Sequence, residues 1–176
     1  RYCDYPKEVE ALPQVGGYVD PSFEAILALR PSLVVGARGP AGTRIDDHLA
    51  AQGIARFFPP TESLADVKAM ILGMGERTGR GEAAQQVVAQ LDGRLRALEA
   101  ALASRPRKRA LLIFGLAPVV AAGPGSFPDE MLRMAGGENV VKEGTAYPVL
   151  SVERILALSP DIVLNGAVAE AHGLQR

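Results

Sequence analysis

The chain has 176 residues, 19 of them basic and 20 acidic, for a net charge of −1. That balance offers no electrostatic footprint for nucleic acid, and 48% hydrophobic with 22% charged residues is ordinary for a globular protein with one sizeable core or two small ones. The longest apolar stretch, 110–122, is interrupted by Gly115 and Pro118 and falls short of the roughly 20 residues a bilayer requires.

At the amino end Arg1-Tyr2-Cys3-Asp4 contains no apolar signal region. Cys3 is the single cysteine, so no intrachain disulfide forms. Arg1-Tyr2 is the wrong context for a lipid-anchor cysteine, and a free thiol is the expected state. Residues 22–35 predict a short helix, a proline stop at Pro31 and a strand at 33–35. A helix over 46–52, ended by Gly53, leads to a strand around 54–58 that Pro59-Pro60 closes. Ser63 caps a helix running to about Arg77, and Thr78-Gly79-Arg80-Gly81 interrupts it.

A second helix comes next over 82–104, with Val87, Leu91, Leu95, Leu98 and Leu102 at spacings of three and four. At 1.5 Å per residue it would be about 35 Å long. It reads as a strut between two lobes, with an amphipathic core helix or a coiled-coil strand as the alternative. The basic run 105–109 reads as a solvated junction, with a phosphate or partner contact as the alternative. A β-rich run spans 109–114. The loop Gly123-Pro124-Gly125-Ser126 is expected to be a turn, although a loop before a helix could also hold an anion. Beyond it lies a helix over 128–135, with proline near its start and Gly136-Gly137 at its end.

The stretch 151–164 repeats 22–35. Serine, glutamate, an Ile-Leu-Ala-Leu core, proline and a valine recur in register, 129 positions apart. That distance is too long for a solenoid period and suits two related lobes. In each copy Ser22 or Ser151 can cap a helix, and Glu24 or Glu153 falls in the first turn, where negative charge complements the helix dipole. Ile26, Leu27 and Leu29, and likewise Ile155, Leu156 and Leu158, supply an apolar stripe. The continuous apolar runs 33–35 and 162–164 read as buried strands of a parallel sheet. The predicted fold class is α/β: two doubly wound lobes, 1–62 and 105–176, with interlobe helices over 63–104.

With these residues the chain resembles the class III, helical-backbone periplasmic binding proteins, and within them the cobalamin-binding branch. The resemblance runs through Cys3-Asp4-Tyr5-Pro6, Gln14-Val15-Gly16-Gly17-Tyr18, both Ser-x-Glu repeats, Gly136-Gly137-Glu138-Asn139-Val140 and Tyr147-Pro148. Asp-Tyr-Pro and the aromatic six residues before Glu24 point to corrinoid binders; the other elements are shared with siderophore and haem members.

The resemblance implies a non-catalytic substrate-binding component of an ABC importer. It would be periplasmic or otherwise extracytoplasmic, membrane-anchored in a longer form, and would deliver cobalamin or a related corrinoid to an inner-membrane permease. A ferric siderophore or haem is the alternative ligand, with Tyr18 as a conceivable axial residue for haem. The implied ligand-binding residues are Tyr5, Pro6, Tyr18, Arg38, Tyr147 and Pro148. Arg38 is included because it comes just after a strand's carboxyl end, where open α/β sheets bind ligands. Flat tyrosine rings suit a broad apolar corrin fringed with amides; singly, each could equally be a surface aromatic. Glu24 and Glu153 match the family's permease-docking carboxylates, against the plainer reading that both only complement helix dipoles. The cobalamin binders carry further aromatics where this chain has Ala37 and Val120, which leaves another cobamide or metal chelate open. Relative to the family the chain is shortened at both ends, which would leave sheet edges open to another chain.

Catalytic patterns are missing from the sequence: no Walker loop, no Gly-x-Ser-x-Gly, no dinucleotide fingerprint. His48 and His172 have no metal-ligand spacing. Neither a cofactor nor a bound metal is expected.

Overall fold

A computed structural model describes residues 5–17, 20–37 and 42–166, with only the backbone at 42–44. The chain divides into two compact units, one holding residues up to Thr61 and Ala65–Gly81, the other Glu62–Leu64 and everything from Glu82 on.

The first unit is built from the first repeat and four further elements. The Ser22 hydroxyl accepts a hydrogen bond from the Ala25 backbone N–H at 3.2 Å, starting α1 (Phe23–Ala28) as predicted. Arg30 takes a left-handed φ of 48° just before Pro31, which ends the helix and turns the chain into β1 (Leu33–Val35). After α2 (Gly42–Ala51), Gly53 at φ 68° reverses the chain into β2 (Ala55–Phe57). β1 and β2 pair in parallel, Leu33 with Ala55 and Val35 with Phe57. Ile26 and Leu49 form the buried apolar points of this unit. α3 (Leu64–Arg77) then places Gly73 against the Phe57 ring, where a Cβ would come within 2.6 Å of a ring carbon. The Arg77 guanidinium lies over the same ring at 4.1 Å.

α4 (Gly81–Leu102) falls almost wholly in the second unit. After it come β3 (Lys108–Ile113), β4 (Val119–Val120), α5 (Phe127–Met134), β5 (Gly137–Asn139), β6 (Val149–Leu150), α6 (Val152–Leu158) and β7 (Ile162–Asn165). The sheet order is β5-β3-β7, all parallel, with β3 central; β4 and β6 form a separate antiparallel pair. Leu111, Ile113, Ala121, Val140 and Val141 are the buried core, and Val119, Leu150, Ile155 and Leu158 pack on it. Ser126 and Ser151 cap α5 and α6, accepting from the N–H groups of Asp129 and Arg154, each at 3.2 Å.

Three expectations about burial are corrected. The apolar run at β7 predicts a buried strand, but all four of its residues are exposed, Val163 at 51%. Among the described residues it is at the sheet's edge, with a strand neighbour on one side only. In the second repeat's stripe, Ile155 and Leu158 reach the core while Leu156 is 73% exposed. Positions three apart share a helix face, and the two between them, Leu156 and Ala157, are turned away. On α4, Leu91, Leu95 and Leu102 are half-buried but Val87 and Leu98 are exposed. The basic run is not all solvated junction either. Arg109 belongs to β3, and its guanidinium donates to the Leu158 carbonyl at 2.6 Å and the Ser159 carbonyl at 3.4 Å. Its backbone N–H donates to the Asp161 carboxylate at 3.0 Å.

Candidate ligand-contact and docking residues

Two loops meet at the carboxyl end of β3, the region of a parallel sheet where ligands bind. Phe114 is the first residue past the strand, and its N–H donates to the Val120 carbonyl at 2.8 Å. β4 pairs with β6, Val120 opposite Val149. The Ala121 N–H donates to the Pro148 carbonyl at 3.0 Å, and the Gly123 N–H to that of Ala146 at 2.8 Å. Tyr147 is therefore held by backbone bonds on either side, and its ring stands edge-on to Phe114, 6.4 Å between centroids at 64°. It remains 47% exposed.

Gly123 is what permits this approach. A Cβ there would lie 2.1 Å from the Thr145 carbonyl oxygen and 2.8 Å from Pro148 Cδ. Gly123→Ala is expected to displace the 145–148 loop and cost roughly 1–3 kcal/mol. A lowered urea midpoint together with a changed near-ultraviolet tyrosine signal checks this.

In the first unit the Tyr5–Pro6 peptide is cis, and Tyr5 is 88% exposed. The Pro6 carbonyl accepts from the Val9 N–H at 3.0 Å, at the head of a 3-10 helix over Lys7–Ala11. Tyr18 and Arg38 lie outside the described residues, as do Cys3 and His172.

Glu24 and Glu153 occupy matching positions, each exposed and two residues after a capping serine. The Ser22 hydroxyl donates to Glu24 at 3.5 Å. The Glu153 carboxyl is held below its usual range by a hydrogen bond from its own backbone N–H and another from the Ser151 hydroxyl.

The loop 123–126 is a turn and a cap. Ser126 donates to the Gly123 carbonyl at 2.8 Å, and the Asp129 carboxylate accepts from the Gly125 N–H at 3.3 Å. Asp129 and Asn139, both buried, anchor the region. The Asn139 amide donates to Asp129 Oδ1 at 2.9 Å and to the Ala122 carbonyl at 3.0 Å, and its oxygen accepts from the Val141 N–H at 2.9 Å. A polar depression of about 310 Å³ beside them is lined by Arg133, Glu138 and Lys142 among others. Four of its charges are paired, Arg133 with Asp129 at 3.1 Å and Lys142 with Glu138 at 2.8 Å, and the Lys142 hydrogen bond keeps the Glu138 carboxyl below its usual range. The His48 ring lies tilted at 55° to that of Phe23, 5.1 Å between ring centroids. Among the described residues no group of acidic, histidine and cysteine side chains could hold a metal, and no helix is long and apolar enough to cross a membrane.

Tyr147 and both capped glutamates are candidates from the sequence; Phe114, the ring partner of Tyr147, is not among them. In sequence Phe114 closes the apolar run 109–114 and reads as part of a strand, so nothing sets it apart.

Known proteins resemble this chain along most of its length. The family model described as "Periplasmic binding protein" matches residues 1–168. A vitamin B12-binding protein of Salmonella typhimurium is 32% identical over 171 residues, covering 96% of this chain and 64% of that protein. The structure of a periplasmic vitamin B12 binding protein of Vibrio cholerae matches with a TM-score of 0.76 at 25% identity, covering 92% of this chain and 64% of that one. A periplasmic haem-binding protein of Pseudomonas aeruginosa matches with a TM-score of 0.79 at 26% identity, covering 92% of this chain and 60% of that one. The chain thus spans about 64% of the length of the Salmonella protein.

Proposed function

We propose that this chain, which belongs to the periplasmic binding protein family, is the substrate-binding component of an ABC importer and carries cobalamin or a related corrinoid to a membrane permease. The observation that supports this most is an exposed tyrosine at the carboxyl end of a parallel sheet, in a chain 32% identical to a vitamin B12-binding protein. A corrin offers a wide, mostly apolar face, and an aromatic ring gives it contact area at little conformational cost. Tyr5 and Pro6 from the first unit, Tyr147 and Pro148 from the second, and Tyr18 and Arg38 are the proposed contacts. In this reading the protein binds and releases its cargo outside the cytoplasmic membrane without chemical change. Glu24 and Glu153 then serve as the docking carboxylates, one on each unit, meeting basic side chains of the permease.

Haem is the second reading, favoured by the likeness to a haem-binding protein at 26% identity. Titration with cyanocobalamin and with haemin, monitored by visible absorption and by the unfolding temperature, separates the two. Cobalamin is expected to perturb the corrin bands and raise the unfolding temperature by several degrees. An unperturbed corrin spectrum and an unmoved melting curve, with a haemin response instead, would favour the second reading.

A further inference from the structure

We propose that a hollow on one face of the second unit's sheet binds an anionic amphiphile, a carboxylate on a short alkyl chain, with Arg105 and Lys108 holding the charge. The hollow has a volume of about 260 Å³ and is lined wholly by residues of that unit. Strand alternation accounts for it. Leu111 and Ile113 point to one face of β3 and belong to the buried core. Lys108 and Ala110 point to the other, where Ala110 stands opposite Ile162 and Leu112 opposite Leu164. Leu102, the last residue of α4, and Leu132 on α5 wall this second face. They close in on glycines: a Cβ on Gly137 would come within 2.9 Å of the Leu132 side chain, and one on Gly136 within 3.4 Å of Leu102. On the open side Ile162 and Leu164 are left 41% and 43% exposed.

Charge selects the ligand. The lining includes two cations, Arg105 and Lys108, and no acid. Among the described residues neither cation has an ion-pair partner, whereas Arg133 and Lys142 in the polar depression beside Asn139 are both taken. Arg105 is placed by its N–H, which donates to the Leu102 carbonyl at 2.9 Å, and Lys108 by β3. An aliphatic floor under a positive rim matches an apolar body with one negative end. The tail leaves water, and the carboxylate meets a guanidinium and an ammonium. The hollow is smaller than the roughly 300–1,000 Å³ of sites for larger ligands, which suits a single short chain and excludes a macrocycle. It lies along the amino-terminal half of β3, and Lys108 is six residues, about 20 Å, from Phe114. The site is therefore separate from the proposed corrinoid contacts and does not depend on them. It gives two members of the basic run 105–109 a partner.

The test titrates the whole chain with decanoate below its micelle concentration, beside octanoate, decanol, decylammonium and vesicles of anionic phospholipid. Decanoate is expected to bind, and octanoate roughly tenfold more weakly, since each buried methylene tightens binding about fourfold at most. Decanol and decylammonium should bind at least about tenfold more weakly than decanoate. The double variant Arg105→Gln/Lys108→Gln should lose about tenfold in decanoate affinity while keeping the parent unfolding temperature, because both side chains are exposed. Equal binding of decanoate and decanol, or an undiminished response in the double variant, would remove the charged rim and with it the proposal. Binding to anionic vesicles without binding of monomeric decanoate would show a membrane-facing patch instead. No response to any of the probes would also overturn it.

Discussion

Reversing Glu24 and Glu153 together to arginine is expected to reduce import to background while leaving ligand affinity within about twofold of wild type. Both carboxylates are exposed in the first turns of short helices that begin on serine caps of the same geometry. A positive charge in a first turn opposes the helix dipole, at about 0.3–1 kcal/mol for each site, which is too little to unfold either unit. Facing basic groups on a permease, however, it turns two attractions into two repulsions. A single reversal should leave partial import, because the remaining carboxylate still supports one contact. Because the Glu153 carboxyl is held below its usual range, it stays ionised as the medium turns mildly acidic, so its contact should persist as pH falls. Uptake of labelled cyanocobalamin through the reconstituted permease, paired with titration of the isolated protein, checks both halves. Undiminished uptake, or a collapse in affinity, would remove the docking assignment.

Asn139→Leu is expected to destabilise the second unit by roughly 3 kcal/mol or more. The substitution keeps the branched heavy-atom shape, with slightly more bulk, and removes every polar atom of the side chain. It strips one bond from the buried Asp129 carboxylate, one from the Ala122 carbonyl and one from the Val141 N–H. Groups stranded away from water cost more than the bonds they formerly made contributed. Arg133 and the Gly125 N–H remain on Asp129, so the carboxylate is weakened in its support rather than isolated. Urea unfolding monitored by circular dichroism measures the loss. A change below about 1 kcal/mol would mean that water or a shifted side chain takes over these partners.

Local chemistry explains which elements the sequence announces. Ser22 and Ser151 cap helices because a hydroxyl three residues ahead of an N–H satisfies it whatever the rest of the chain does, and the prolines after them stop those helices for equally local reasons. The strands at 33–35 and 162–165 are legible from the same repeat. Burial is not. An apolar pattern says which side chains favour cover, not whether a neighbour provides it, so the exposure of Val87, Leu156 and Val163 can be learned only from the fold. The β4–β6 pair, two residues on each side, is too short to register as alternation. Tyr147 stands out as an aromatic beside a proline, but its ring partner Phe114 is 33 positions away and hides inside an apolar run that reads as strand. Asp129 and Asn139, ten positions apart, give no sign in sequence of meeting.

The Arg109 side chain has a mechanical consequence for α6. At one end that helix begins on Ser151, directly after a residue paired to β4; at the other its final carbonyls are gripped by a guanidinium rooted in the central strand. Fastened at head and foot, it is coupled to the sheet, and Glu153 is tied to that sheet like a peg set in a plate. Any protein that reads the position of that carboxylate is reading the attitude of the whole second unit.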